Sequence, residues 1–309
     1  MNYKEWLNIW LENYAGPSVK PKTYLRYKEI VCNQICPRLE EYELDELSPM
    51  LLQRFVTDLL TSGNKKNGGG LAARTVHTAI TVVQSSLRTA YHLGYVENTA
   101  GEKIKRPRLK EKQVTCFTLP EQRKIEQEVL KCGKPKMKGI LICLYTGLRI
   151  GELLALEWTD IDLNRGELSV TKTCFDGKNK NGVFCRITNT PKTETSMRVI
   201  PLPKQLIPVF REMRRAAQNQ YLISDGEKTL AVRSYQRSFE RLLSNLGIPR
   251  RGFHSLRHTF ATRALEVGMD VKTLSEILGH KNANVTLQRY AHSMPEHKKE
   301  MMNRIGKIL

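Results

Sequence analysis

Arginine, histidine and tyrosine side chains recur in the second half of the chain at spacings that suit chemistry on a phosphate. Arg149 stands in Thr-Gly-Leu-Arg-Ile-Gly-Glu, where a helix is predicted to start. Backbone N–H groups and the helix dipole favour an anion there, and a guanidinium fork fits two phosphate oxygens. Glu152 follows on the same predicted helix face and is expected to orient Arg149 through a salt bridge. The plainer alternative is an ordinary surface ion pair.

The segment FHSLRHTF, residues 253–260, pairs a proton shuttle with a second phosphate clamp. His254 and Arg257 are three residues apart, so a helix places them on one face. His258 falls on an adjacent face and is interpreted as a packing residue.

Three further groups complete the set, although each has a plainer structural explanation when taken alone. Lys192 lies in a predicted turn between strands, where its ammonium could donate a proton into a cleft, but most loop lysines are merely solvated. His280 follows Gly279 at a predicted helix end, where a capping role is commoner than catalysis. Tyr290 lies on a short helix predicted to begin near Asn284, where a tyrosine usually belongs to the core or its rim.

Helices are predicted to position these groups, with a few strands between them. Residues 1–100 read as four helices, one of them opened by Ser48 as N-cap and Pro49 at the first helical position. Alternating apolar residues predict strands at 167–173, 183–190 and 197–201. The predicted fold class is therefore mainly α with a small antiparallel β-sheet.

A basic segment divides the chain. Residues 101–116 are rich in lysine, poor in apolar residues and interrupted by Pro107, which predicts an interdomain linker. It separates a domain at 1–100 from a domain at 117–309. The linker also suits a phosphate backbone, and its expected DNA-binding side chains are Lys103, Lys105, Arg106, Arg108 and Lys110.

The charge balance favours a polyanionic partner. Fifty Lys and Arg against 31 Asp and Glu give a net charge of +19. The excess is +5 over residues 1–112 and +14 over residues 113–309. Nucleic acid is the usual partner of such a chain, although charge alone is also compatible with a merely soluble basic protein.

Metal, membrane and secretion are not expected. The seven cysteines include no CxxC pair, and no histidine sits at a zinc-ligand spacing, so reduced thiols are predicted. No signal-peptide pattern opens the chain, and the longest apolar run, Ile140 to Tyr145, is too short to span a bilayer. The acidic residues look isolated or paired with basic ones, so no metal and no cofactor is predicted. The expected location is the bacterial cytoplasm.

One ordered set of residues resembles the tyrosine recombinase family, also called the phage integrase family: Arg149, Lys192, His254, Arg257, His280 and Tyr290. Residues 1–100 resemble its helical, SAM-like core-binding domain, and residues 117–309 its α+β catalytic domain with a tail helix at 293–309. Many phage and conjugative-element members begin with a further domain that binds arm-type sites. This chain starts at the core-binding helices, so the alternatives are a simple member or a truncated one.

The resemblance implies a site-specific recombinase or integrase that acts through a 3′-phosphotyrosine intermediate. Tyr290 would be the nucleophile, and either His254 as general base or the nearby guanidinium charges would offset the cost of ionising it. Lys192 would protonate the departing 5′ oxygen. Arg149 and Arg257 would stabilise the charge on a pentacoordinate phosphorus. No ATP is required, since the phosphotyrosine bond conserves the energy of the diester. No metal is required either, since metal-dependent nucleases need converging carboxylates, which the sequence does not offer.

In the same mechanism His280 aligns the phosphate, and strands exchange through a Holliday junction between two duplexes. The implied partners are double-stranded DNA, a homotetramer on synapsed DNA and an accessory directionality factor. Off DNA, a monomer or weak dimer is expected. Three alternatives remain: a type IB topoisomerase, a catalytically silent DNA-binding regulator, and a basic helical scaffold that binds RNA.

Overall fold

The chain folds into two units, each with its own hydrophobic core. A computed structural model describes residues 1–65, 67–109, 115–178, 183–189, 197–226, 228–290 and 302–303. The first unit spans Met1–Lys112 and the second spans Gln113–Leu309. The predicted loop lysine, Lys192, and nearly all of the predicted tail helix at 293–309 lie outside the described residues.

The first unit is helical, as the sequence predicts. Its helices are α1 (Tyr3–Trp10), α2 (Gly16–Ser18), α3 (Pro21–Ile30), α4 (Cys36–Leu39), α5 (Pro49–Ser62) and α6 (Ala73–His92), with π-helical turns at Leu11–Ala15 and Val31–Ile35. Ser48 caps α5 by accepting a hydrogen bond from Leu51 N, with Pro49 at the first position. The N-cap predicted at this point is confirmed.

Aromatic residues of α1 fix this helix on α6. Trp6 is fully buried, and its indole N–H donates to Ser86 O at 3.1 Å. The Tyr3 hydroxyl lies 2.9 Å from Ser86 Oγ, and the Trp10 indole donates to Thr89 Oγ1 at 3.2 Å. Because each polar tip has a partner on α6, the large apolar rings are buried without an unsatisfied donor.

Part of the predicted linker at 101–116 packs on the first unit. Lys105 N donates to Gln53 Oε1 at 2.9 Å, and His77 Nε2 donates to the Pro107 carbonyl at 2.7 Å. Polar side chains of α5 and α6 hold this segment through its backbone. These two contacts attach residues 105–107 to the first unit, and the role of 101–116 as an interdomain linker stays a prediction.

The second unit combines helices with short strands. Its helices are α7 (Leu119–Lys131), α8 (Pro135–Thr146), α9 (Ile150–Ala155), α10 (Leu206–Arg215), α11 (Val232–Asn245), α12 (His254–Glu266), α13 (Val271–Leu278) and α14 (Ala283–Tyr290). Thr118 opens α7 with a capping box, in which Glu121 is the reciprocal partner. The core lies around α8, which is buried along most of its length.

The strands are β1 (Ile161–Asp162), β2 (Glu167–Val170), β3 (Thr173–Lys178), β4 (Phe184–Asn189), β5 (Arg198–Pro201), β6 (Ser224–Asp225) and β7 (Lys228–Thr229). They pair as the antiparallel groups β1-β2-β5, β3-β4 and β6-β7. The fold class predicted from sequence is confirmed, but the strand boundaries differ. The predicted strand 167–173 ends at Val170, and the chain then opens a second strand that pairs with β4, since alternation alone does not show where a strand changes partner.

The cysteines and the longest apolar helices bear on disulfides and membrane insertion. All seven cysteines are free thiols in the structure, and Cys143 and Cys174 are buried. Within the described part of the chain, no helix has the length and apolar character needed to cross a bilayer.

Candidate functional site

Two left-handed glycines end the helices that precede Arg149 and His280. Gly147 (φ +66°) ends α8, and Gly279 (φ +63°) ends α13. A Cβ on Gly147 would lie 2.5 Å from Phe260 Cδ1, so both conformation and space require glycine there. These sharp endings turn the chain at the two places where the sequence predicts anion-handling residues.

Arg149 occupies the N-cap of α9, in the position predicted for it. Its Nη1 donates to Glu152 Oε1 at 2.6 Å, and its backbone N–H donates to Glu152 Oε2 at 3.0 Å. The predicted salt bridge is therefore present, and Glu152 is buried rather than on the surface. The Arg149 side chain stays 36% exposed, so it is more open to an incoming anion than Glu152.

Arg198 of β5 is a second partner of Glu152 that the sequence analysis missed. Its Nη2 lies 2.9 Å from Glu152 Oε2, and both side chains are almost fully buried. The alternation in β5 offered a signal, because Arg198 points to the same inward side as Ile200. A charged residue at an inward strand position calls for a buried partner.

The two arginines keep Glu152 ionised. Burial by itself raises the pKa of this carboxyl, but the charges and hydrogen bonds of Arg198 and Arg149 outweigh it and lower the pKa to about 2. Glu152, Arg149 and Arg198, here called the Glu152 cluster, therefore combine one negative and two positive groups at neutral pH.

Arg257, which the sequence marks as a second phosphate clamp, is 1% exposed. Its Nη1 donates to Gly147 O at 2.8 Å, and its Nη2 donates to Leu278 O at 2.7 Å. The same Nη2 lies 2.9 Å from His280 Nε2. This side chain thus ties the end of α8 to the end of α13.

The neighbours of His280 determine its tautomer. A guanidinium only donates, so Nε2 must accept from Arg257 and carry no proton. Nδ1 then carries the proton and donates to Thr286 Oγ1 of α14 at 2.7 Å. His280 therefore links Arg257 to the helix that ends in Tyr290. These two contacts go beyond those of a simple helix cap, while the catalytic role predicted for His280 stays a prediction.

Three arginines converge on three successive carbonyls at the C-terminus of α13. Arg198 donates to Ile277 O, Arg257 to Leu278 O, and Arg149 to Gly279 O. The last carbonyls of a helix lack intrahelical partners and form the negative end of its dipole. This helix end therefore gathers guanidinium groups from β5, α12 and the N-cap of α9 into one place.

His254 opens α12 and is exposed, while Arg257, three residues later, is buried. The His254 ring packs edge-on against the ring of His258, with centroids 4.6 Å apart. The sequence predicts that His258 is a packing residue, and its ring is partly buried. His254 is thus accessible to solvent and to an approaching substrate.

Tyr290 is the last residue of α14, on the short helix that the sequence predicts. Helix α14 packs against α13, which brings its backbone to the same region as the arginine cluster. The side chain of Tyr290 and the whole of Lys192 lie outside what the structure describes, so their places in the site remain predictions.

Basic side chains are exposed on the segment 103–108, here called the basic strap. Lys103, Lys105, Arg106 and Arg108 are all exposed, and Arg106 also donates to Gln84 Oε1 at 2.6 Å. Lys110 lies outside the described residues. The DNA-binding role of these side chains stays a prediction.

Comparison with known proteins gives the site its context. Residues 115–297 match the phage integrase family, and residues 2–60 match the phage integrase N-terminal SAM-like domain. A XerC-like tyrosine recombinase of Caldanaerobacter subterraneus is 30% identical over 320 residues, covering 94% of this chain and 79% of that protein. The ICEBs1 integrase of Bacillus subtilis is 24% identical over 324 residues, covering 100% of this chain and 84% of that protein.

Solved structures show the same fold. The Tn1549 transposon integrase in complex with a circular intermediate DNA has a TM-score of 0.81 at 20% identity, covering 99% of each chain. A lambda integrase tetramer bound to a Holliday junction has a TM-score of 0.69 at 19% identity, covering 92% of this chain and 78% of that one. The family match spans more than half of the chain. The chain therefore belongs to the phage integrase family and is a tyrosine recombinase, an enzyme that breaks and rejoins DNA.

Proposed function

We propose that this recombinase integrates or excises a mobile DNA element, with Tyr290 as the nucleophile that forms a 3′-phosphotyrosine bond. One observation carries the proposal: Arg149, Arg257 and His280 meet at the end of α13, next to the helix that ends in Tyr290. Three groups suited to a phosphate are thus held together by the fold.

The two arginines stabilise the transition state. Attack on a phosphodiester adds negative charge to the non-bridging oxygens, and guanidinium donors fixed in advance need little reorganisation to meet it. Arg149 is the more open of the two, whereas Arg257 is held by two backbone carbonyls and acts from a buried position. Loss of one such contact typically costs about a hundredfold in rate.

Proton transfers divide among the remaining groups. A phenol has a pKa of about 10, so ionising Tyr290 at neutral pH costs roughly 4 kcal/mol. His254, exposed at the start of α12, accepts this proton, and Lys192 donates one to the departing 5′ oxygen. The phosphotyrosine bond keeps the energy of the diester, so rejoining needs no ATP, and the arginines take the place of a metal in stabilising the charge on phosphorus.

His280 must exchange hydrogen-bond partners to bind the phosphate. In the structure its Nε2 accepts from Arg257 and its Nδ1–H is held by Thr286. To donate to a phosphate oxygen, Nε2 must carry a proton; a switch of tautomer supplies it, because the Thr286 hydroxyl can then donate to Nδ1. Nε2 also has to leave the Arg257 donor, so phosphate binding changes the hydrogen bonds on both sides of the His280 ring.

Double-stranded DNA is the proposed partner, and a homotetramer on two synapsed duplexes the proposed working assembly. The net charge of +19 and the exposed basic strap supply the phosphate contacts. The tetramer of lambda integrase on a Holliday junction and the Tn1549 complex with circular intermediate DNA support both parts by similarity. The enzyme would act in the bacterial cytoplasm, where its DNA lies.

A covalent-trapping experiment tests the proposal. The protein is incubated without metal or ATP with nicked duplexes carrying the ends of the element, and SDS-resistant protein–DNA adducts are measured. Wild type should form an adduct, Tyr290→Phe should bind the DNA and form none, and Tyr95→Phe, at an exposed tyrosine of the first unit, should behave as wild type. An adduct in Tyr290→Phe refutes the nucleophile. Bound DNA without any adduct points to a silent regulator, and relaxation of supercoils without synapsis points to a topoisomerase.

A further inference from the structure

Of the three arginines at the end of α13, Arg198 has no role in the proposed reaction. We infer that Arg198 is a positioning residue for strand cleavage: it fixes Glu152 and the C-terminal turn of α13, and through them Arg149 and His280. This inference rests on the proposed function of the site, because it concerns the geometry of that site's phosphate-handling groups.

The guanidinium of Arg198 joins two elements that each lead to a proposed catalytic residue. Its Nη2 and Nη1 lie 2.9 and 3.4 Å from the two oxygens of Glu152, and its Nε donates to Ile277 O. Glu152 in turn holds Arg149, while Ile277 lies three residues before His280. Because the guanidinium is planar and rigid, one group fixes the distance between α9 and the end of α13.

Packing shows the same coupling on the α13 side. A Cβ on Gly279 would lie 3.0 Å from Arg198 Nη1 and 3.2 Å from its Cδ, so the arginine lies directly against the left-handed turn. The following residue, His280, donates its backbone N–H to Ser275 O to close that turn. Arg198 is 6% exposed, so it acts on DNA chemistry through its neighbours rather than by touching the substrate.

Charge gives Arg198 a second effect. The described groups that act electrostatically around Glu152 are Arg198 from β5, Arg149 from the N-cap of α9, and the buried thiol of Cys143 from α8. Without Arg198, the buried carboxylate would keep a single cationic partner, and its pKa would rise from about 2. Protonated Glu152 holds Arg149 less firmly, so cleavage would become sensitive to mildly acidic pH.

Three variants test the inference on full-length protein: Arg198→Met, Arg198→Lys and the control Arg186→Met. Arg186 also donates to a backbone carbonyl of the second unit, that of Leu154, but is not among the Glu152 cluster. Single-turnover adduct formation on the nicked duplex is measured between pH 5 and 8, and DNA binding by gel shift. Hydrogen exchange of the peptide 274–282 reports the turn independently of activity.

Arg198→Met should bind DNA as wild type but cleave it about tenfold to a hundredfold more slowly, the range typical of residues that orient a functional group. Its cleavage rate should fall at a higher pH than that of wild type, and exchange at the turn should increase. Arg198→Lys should restore the wild-type pH profile but only part of the rate, since one ammonium cannot hold Glu152 and Ile277 O together. Arg186→Met should change neither the pH profile nor the exchange.

Two results would overturn the inference. One is an Arg198→Met protein with wild-type cleavage, pH profile and turn exchange. The other is a loss of rate matched by Arg186→Met with no change in the pH profile, which would indicate a merely structural arginine. If wild type itself forms no adduct, the proposed function fails, and the exchange of peptide 274–282 still decides whether Arg198 positions the turn. If Arg198→Met does not fold, Arg198→Lys and the double variant Glu152→Gln/Arg198→Met, which has no buried carboxylate, provide the same comparison.

Discussion

The ionised Glu152 should contribute a pH-dependent part of the stability of the second unit. Its pKa of about 2 in the folded protein lies below the ordinary value of 4.5. At about 1.36 kcal/mol for each pKa unit, this difference corresponds to about 3 kcal/mol. Because the folded pKa is the lower one, the contribution is fully present above pH 4.5 and is lost as the pH falls towards 2.

Glu152→Gln is the perturbation that isolates this contribution. The neutral amide leaves Arg149 and Arg198 without their buried anion, and breaking a buried ion pair from one side costs about 3 to 5 kcal/mol. This cost should be present at pH 7. At pH 3.5 the wild-type protein has already lost about 1.4 kcal/mol of the contribution from Glu152. The difference in free energy of unfolding between wild type and Glu152→Gln should therefore be smaller at pH 3.5 than at pH 7 by that amount.

Hydrogen exchange across a urea series measures this difference in unfolding free energy for the second unit by itself. Peptides from α8 report the free energy of unfolding of the second unit, and peptides from α6 serve as an internal reference in the first. Glu266→Gln is the matched control, because Glu266 also pairs with an arginine three residues away but is 40% exposed. Its effect should stay within about 1 kcal/mol. A Glu152→Gln gap that is the same at pH 7 and pH 3.5 would refute the reasoning.

Further expectations concern the turns and the strap. Gly147→Ala should destabilise the second unit by about 1 to 3 kcal/mol in urea unfolding, because φ is positive and the space is filled; an unchanged midpoint would contradict this. Thr286→Val should slow adduct formation with DNA binding unchanged, since His280 loses the acceptor of its Nδ1 proton; a wild-type rate would show that this contact is dispensable. Arg108→Ala should lower the slope of log K against log salt by about one, whereas Lys4→Ala, already paired with Glu40, should not. Equal slopes for the two would remove the strap from the interface.

Motifs whose meaning is local could be predicted from the sequence alone. Thr-Gly before Arg149 and Gly279 before His280 indicate where helices end, because a left-handed position there favours glycine. The pairing of Arg149 with Glu152 follows from helical spacing in the same way. The mainly α class also came from such local signals, and the family followed from the order of the residues with chemical function.

Contacts between distant segments could not be predicted in this way. Arg198 lies 46 residues from Glu152, and no spacing rule connects a strand residue to a helix that far away. The same holds for the strap, whose attachment depends on side chains of α5 and α6 that only folding brings beside it. The sequence by itself thus determined which phosphate-handling side chains stand at helix ends, because turns and caps depend on neighbouring residues. Only the tertiary structure decided how they meet, since the end of α13 gathers its three arginines from separate elements.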